Sequence, residues 1–113
     1  MKDNFNNLTK AVSILKTIAH PTRIAVLKLL TEEERMNVNR MQEILDCEQS
    51  LLSHHLGILK TNALLKTERQ GQFIFYLLNE EERPLLLQCL KIFTFIKEDN
   101  VSENQLSILN PKN

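Results

Sequence analysis

Apolar residues recur at helical spacing along most of this chain and then switch briefly to strand spacing. Leu8, Val12, Leu15 and Ala19 share one helical face with Ala11, Ile14 and Ile18 beside them, which predicts a first helix over 8–19. His20-Pro21-Thr22 interrupts it, because proline disfavours helix at the residue before it and suits the opening of the next helix. A short buried helix over 22–30 follows, carrying Ile24, Leu27 and Leu30 with Ala25 and Val26. Thr31-Glu32-Glu33-Glu34-Arg35 is a polar connection. A third helix over 39–46 turns Met41, Ile44 and Leu45 inward. Asp46-Cys47-Glu48 makes a tight turn, helped by the tolerance of Asp for the left-handed conformation. A fourth helix then covers 49–61. Two helices joined by so short a turn form a helix-turn-helix.

Beyond residue 63 the period changes. Leu64-Leu65-Lys66-Thr67-Glu68-Arg69 and Gln72-Phe73-Ile74-Phe75-Tyr76-Leu77-Leu78 flank Gln70-Gly71, and Gly71 supplies the positive φ that a hairpin turn wants. A hairpin behind a helix-turn-helix is a wing. A last helix over 80–97 begins with Glu80, Glu81 and Glu82, which complement the positive end of its dipole. Pro84 is tolerated only in a first turn, so it sets the start near residues 81–83. The expected fold is mainly α: a winged helix-turn-helix of about five helices plus a two-stranded β-hairpin wing. It fills one domain over 1–98, with a frayed Asn- and Ser-rich tail over 99–113.

The fourth helix has two faces. On a wheel of about 100° per residue, Leu52, Leu56 and Leu59 lie together with His55 at their edge, and Ser50, Ser53, His54, Gly57 and Thr61 lie opposite. The outer face is uncharged, small and rich in hydrogen-bonding groups, which suits base edges and phosphates in a major groove. Gln49 and Ser50 stand in the first turn, where a recognition helix meets bases. His55, on the inner side, reads as a packed and hydrogen-bonded core histidine. The candidate double-stranded DNA contacts are therefore Gln49, Ser50, Ser53, His54, Gly57 and Lys60, joined by Lys66, Arg69 and Gln72 of the wing.

The last helix is apolar almost all round: over residues 85–97 only Gln88, Lys91, Thr94 and Lys97 are polar, and they form one narrow stripe. Such a helix is covered on more than one side, and a second copy of the chain is the economical cover. The candidate homodimer contacts are Leu8, Val12 and Leu15 of the first helix and Leu86, Leu90, Phe93 and Ile96 of the last.

Composition narrows the function further. With 42% hydrophobic and 25% charged residues in 113, the chain is globular, and no apolar run reaches membrane-spanning length. No signal sequence opens it, which predicts a cytoplasmic protein. The formal net charge is zero, but Lys2, Lys10, Lys16, Arg23 and Lys28 face a single acid, Asp3, within residues 1–30. A neutral total thus leaves room for a basic face. Cys47 and Cys89 are far apart and read as buried and inert, with a thiol switch as the alternative. His20, His54 and His55 form no spaced ligand set, so no metal and no cofactor is expected. Two glycines, no catalytic triad and no paired carboxylates make an enzyme improbable. A winged-helix module for protein contacts remains the alternative to a DNA-binding regulator.

Three stretches resemble one family. Ala19-His20-Pro21-Thr22-Arg23-Ile24 is similar to the A-D-P-T-R-L signature of ArsR/SmtB-type regulators. Gln49-Ser50-Leu51-Leu52-Ser53-His54-His55-Leu56 resembles their S-Q-S-x-V-S-H-H-L recognition helix, and Arg69-Gln70-Gly71-Gln72-Phe73-Ile74-Phe75-Tyr76 their R-E-G-R-x-x-Y-Y wing. The resemblance implies a homodimeric repressor that leaves its operator on sensing a signal. There are departures. His20 replaces Asp, and Glu48 stands at the usual Ser N-cap. Ala63 replaces Gly before the wing, with Asn62 expected to take the left-handed role. Asn37-Val38-Asn39 replaces the metal-binding C-V-C, and residues 80–97 hold no His or Asp. Both usual metal sites are therefore missing, and the effector stays unknown.

Overall fold

The computed structural model describes residues 2–94. Their elements run α1 (Lys2–Ile18), α2 (Pro21–Glu32), β1 (Met36–Asn37), α3 (Val38–Leu45), α4 (Gln49–Thr61), β2 (Leu65–Gln70), β3 (Phe73–Leu78) and α5 (Arg83–Thr94). The expected tail over 99–113, and Ile96, lie outside the described residues.

α1 starts well before residue 8, and residues 4–7 of that extension are exposed and polar apart from Phe5, so apolar periodicity does not mark them. Once a helix exists, each further residue adds a hydrogen bond at little cost. α5 starts later than residue 80. Asn79 Oδ1 accepts from the Glu81 N–H at 3.2 Å, and the Asn79 carbonyl accepts from the Glu82 N–H at 3.0 Å. The three glutamates thus sit in a turn before the helix, and Pro84 falls in its first turn as expected.

The wing has a third strand that the sequence pattern did not show. The antiparallel order is β1-β3-β2, with Met36 opposite Tyr76, Leu65 opposite Leu78 and Gln70 opposite Phe73. A strand of two residues is too short to display alternation. Gly71, at φ 61°, opens the two-residue β2–β3 turn. Arg35 braces the sheet from the β1 side. Its guanidinium lies 4.6 Å over the Phe75 ring and donates to Glu68 Oε2 at 3.3 Å and Gln70 Oε1 at 3.1 Å on β2.

One core runs through all the helices. It includes Ile14 and Ile18 of α1, Val26, Leu27 and Leu30 of α2, Met41 of α3, Leu52, Leu56 and Leu59 of α4, and Leu86 and Leu90 of α5. Ile44, expected inward on α3, is exposed. Met41 carries the buried side of that helix, with Leu45 half-buried beside it.

Short polar residues set the helix ends. Asn37 Oδ1 accepts from the Arg40 N–H at 2.9 Å and caps α3. The position that offers a metal-binding thiolate in the resembling signature here serves as a cap. Asp46 closes α3 in the left-handed conformation, as the turn chemistry predicted. At the end of α4 the outcome differs from expectation. Asn62 keeps φ at −89°, while Ala63 itself takes φ 63°. Asn79 secures this strained alanine by donating from Nδ2 to the Ala63 carbonyl at 2.8 Å.

Candidate nucleic-acid interface

α4 is positioned from beneath. Leu52, Leu56 and Leu59 are fully buried and His55 is 3% exposed, so the inner side of the helix is committed to the core. His55 is held by the α1–α2 corner. Arg23 donates from Nε to His55 Nδ1 at 3.1 Å and from Nη1 to the Thr17 carbonyl at 2.8 Å. The His20 ring lies 4.2 Å from that of His55, centroid to centroid. His20 also caps α2, accepting the Thr22 N–H on Nδ1 at 3.1 Å. An imidazole here does the N-cap work of the more usual carboxylate.

A neutral imidazole that accepts at Nδ1 carries its proton on Nε2. That Nε2–H of His55 is buried without a partner, and no other buried side-chain N or O atom among the described residues is in that position. Burial, with the nearby His20, Arg23 and His54, lowers the His55 pKa to about 4. The ring is neutral at ordinary pH. His55 is thus the core histidine that its place on the wheel implied.

The outer side of α4 is open. Gln49, Ser50, Ser53, His54, Gly57, Lys60 and Thr61 are all exposed. Ser53, His54, Gly57, Ile58, Thr61 and Asn62 line a shallow open depression of about 360 Å³. A methyl group at Gly57 would meet nothing within 4 Å, so internal packing does not require glycine there. Lys66, Arg69 and Gln72 are exposed on the wing, and Arg69 curls back to donate from Nε to the Gly71 carbonyl at 3.1 Å.

At the head of the helix, Glu48 makes no side-chain cap bond. It accepts instead from the Ser50 hydroxyl at 2.6 Å. The sequence marks Glu48 as a poor cap but gives no sign of this pairing, which depends on where the turn aims the carboxylate. Leu51, half-exposed beside Ser50, likewise escapes a search for hydrogen-bonding groups.

The dimer candidates divide. Leu8 is 64% exposed and Val12 is exposed on α1, while Leu15 and Phe93 are half-buried against the core. Leu86 and Leu90 do not face outward: both are buried in the chain's own core, because α5 lays that stripe against α1. Ile92, 54% exposed, points outward on α5 in their place.

The thiols offer little chemistry. Burial, then the charges of Glu48 and Asp46, raises the pKa of Cys47, and burial raises that of Cys89. Both therefore stay protonated and weakly nucleophilic. Among the described residues no cluster of three or more His, Cys, Asp or Glu side chains could hold a metal ion, and no helix is long and apolar enough to cross a membrane.

Known proteins share this architecture. Residues 18–68 match the model of a helix-turn-helix domain family. The biofilm growth-associated repressor of Agrobacterium fabrum is 32% identical over 93 residues, covering 82% of this chain and 79% of that protein. The transcriptional repressor PagR of Bacillus anthracis is 35% identical over 89 residues, covering 79% of this chain and 89% of that protein. The chain belongs to the ArsR/SmtB-type winged helix-turn-helix family. The PagR crystal structure superposes with a TM-score of 0.67 at 31% identity, covering 79% of this chain and 98% of that one. That of the regulator HlyU from Vibrio vulnificus does so with a TM-score of 0.70 at 29% identity, covering 85% and 97%. This ArsR/SmtB-type chain is a DNA-binding transcriptional regulator, and the comparisons do not favour the protein-contact module.

Proposed function

We propose that the chain is a cytoplasmic repressor that binds operator DNA as a homodimer. The observation that carries the DNA half is the division of α4: one side is buried, and the other is an exposed strip of small, hydrogen-bonding groups joined by the cation Lys60. In this reading Gln49, Ser50, Ser53 and His54 meet bases and phosphates, Gly57 permits close approach to the backbone, and Lys60, Lys66, Arg69 and Gln72 hold phosphates or the minor-groove edge. The direction of control follows the relatives named as repressors.

A gel shift on the promoter region beside its own gene tests the interface. Ser53→Ala and His54→Ala are expected to weaken binding by about 5- to 150-fold each, the worth of ~1–3 kcal/mol in lost contacts. Both positions are exposed, so thermal melting should barely move. Unchanged affinity in both variants would remove α4 from the interface. Gly57→Ala should separate two effects. It is expected to stabilise the fold by about 1 kcal/mol through helix propensity, and to weaken operator binding, because the methyl projects from the contact face.

The dimer half is supported by Phe5, Leu8 and Val12 of α1 and Ile92 of α5, large apolar residues left exposed on two helices that pack together. Two copies would also supply two recognition helices for successive major grooves. Val12→Glu is expected to convert a dimer to monomer in sedimentation equilibrium while preserving helical content. A wild-type chain that sediments as a monomer at tens of micromolar would rule the dimer out.

A further inference from the structure

At the head of α4 a hydroxyl and a carboxylate are hydrogen-bonded to each other. Ser50 has one hydroxyl proton and two lone-pair sites. Its proton is directed to Glu48 Oε1 at 2.6 Å, the length of a charge-assisted bond. Ser50 is left with acceptors only. Glu48 is exposed, spends nothing on capping the helix, and no Lys or Arg forms an ion pair with it among the described residues. On either side of Gln49, the leading edge of the recognition helix therefore presents two acceptors, the Glu48 carboxylate and the Ser50 oxygen, and a negative charge.

In the major groove only two groups donate: the adenine N6 amino and the cytosine N4 amino. Guanine offers N7 and O6, and thymine O4, all acceptors that a carboxylate repels. Adenine sets the N7 acceptor beside its amino group, whereas cytosine sets a neutral C5–H there. We propose that Glu48 is a specificity-determining residue that selects one cytosine in each operator half-site by accepting from its 4-amino group, with Ser50 held as a second acceptor. This rests on α4 being the DNA-contacting helix. The same carboxylate repels the phosphates of every sequence, and only a site that offers the cytosine amino group offsets that repulsion, so Glu48 works as a discriminating element.

Binding-site selection from random duplex DNA tests the assignment, using the full-length wild type, Glu48→Ala and Glu48→Gln. Circular dichroism melting confirms that each variant is folded. The wild type is expected to enrich a motif containing cytosine at one position that Glu48→Ala loses while keeping the rest. Replacing that C·G pair by T·A should weaken wild-type binding by about 10- to 100-fold and Glu48→Ala binding by no more than about 2-fold. Glu48→Gln should move the preference towards adenine, whose N6 and N7 an amide pairs with. A motif that is the same in wild type and Glu48→Ala overturns the role of Glu48 and leaves the DNA interface standing. Failure of the wild type to enrich any sequence overturns both.

Discussion

Replacing Arg23 with methionine is expected to lower the unfolding free energy by about 2–3 kcal/mol. Methionine keeps much of the side-chain volume but supplies no donor. Both acceptors that Arg23 serves, His55 Nδ1 and the Thr17 carbonyl, would then be orphaned beneath α4. Urea denaturation should show a reduced midpoint with an unchanged slope. Arg23→Lys should recover only part of the loss, because one ammonium does not reproduce the guanidinium fork. The double variant Arg23→Met/His55→Leu should be more stable than Arg23→Met, since leucine leaves no buried nitrogen unpaired. A loss below about 0.5 kcal/mol, the range of ordinary surface substitutions, would show that this corner does not clamp the recognition helix.

Acid should act on the same place. The pKa of His55 is lowered from 6.5 to about 4 by burial first, then by His20, Arg23 and His54. As pH falls below 6.5 the unfolded chain takes up a proton that the folded chain refuses. The stabilisation is therefore complete above pH 6.5 and is lost as pH falls towards 4, below which both states are protonated. At about 1.4 kcal/mol per pH unit the interval is worth about 3 kcal/mol. Thermal melting across that window should show a steep fall in the wild type and a shallower one in His55→Leu. Equal slopes in the two proteins would exclude His55 as the titrating group.

His55 also illustrates what a one-dimensional reading can reach. Its place on the helical wheel marks it as an inner residue, and its burial follows. The identity of its partner does not: Arg23 is distant in sequence, and the α1–α2 corner alone brings it to α4. Likewise Pro84 and Gly71 carry their conformational demands in their own covalent structure, and α5 and the wing turn begin where those demands put them. Ala63 has no such preference. It adopts φ 63° because the α4–β2 junction needs a left-handed residue and Asn79, from beyond β3, bonds its carbonyl. β1 exists only because β3 offers it an edge.

The helix-turn-helix, the wing hairpin and the two faces of α4 are legible in the residues themselves, because helical period, turn chemistry and apolar patterning are local properties. Which apolar residues are left exposed follows from how the helices pack. Leu86 and Leu90 share their helix with Ile92, and all three look equally suited to a partner. Packing against α1 buries the first two and leaves Ile92 outside. Glu48, by contrast, meets Ser50 only two residues away, a contact made within the first turn of α4. Which apolar residue stays outside depends on direction in space, which packing between helices sets and residue type does not.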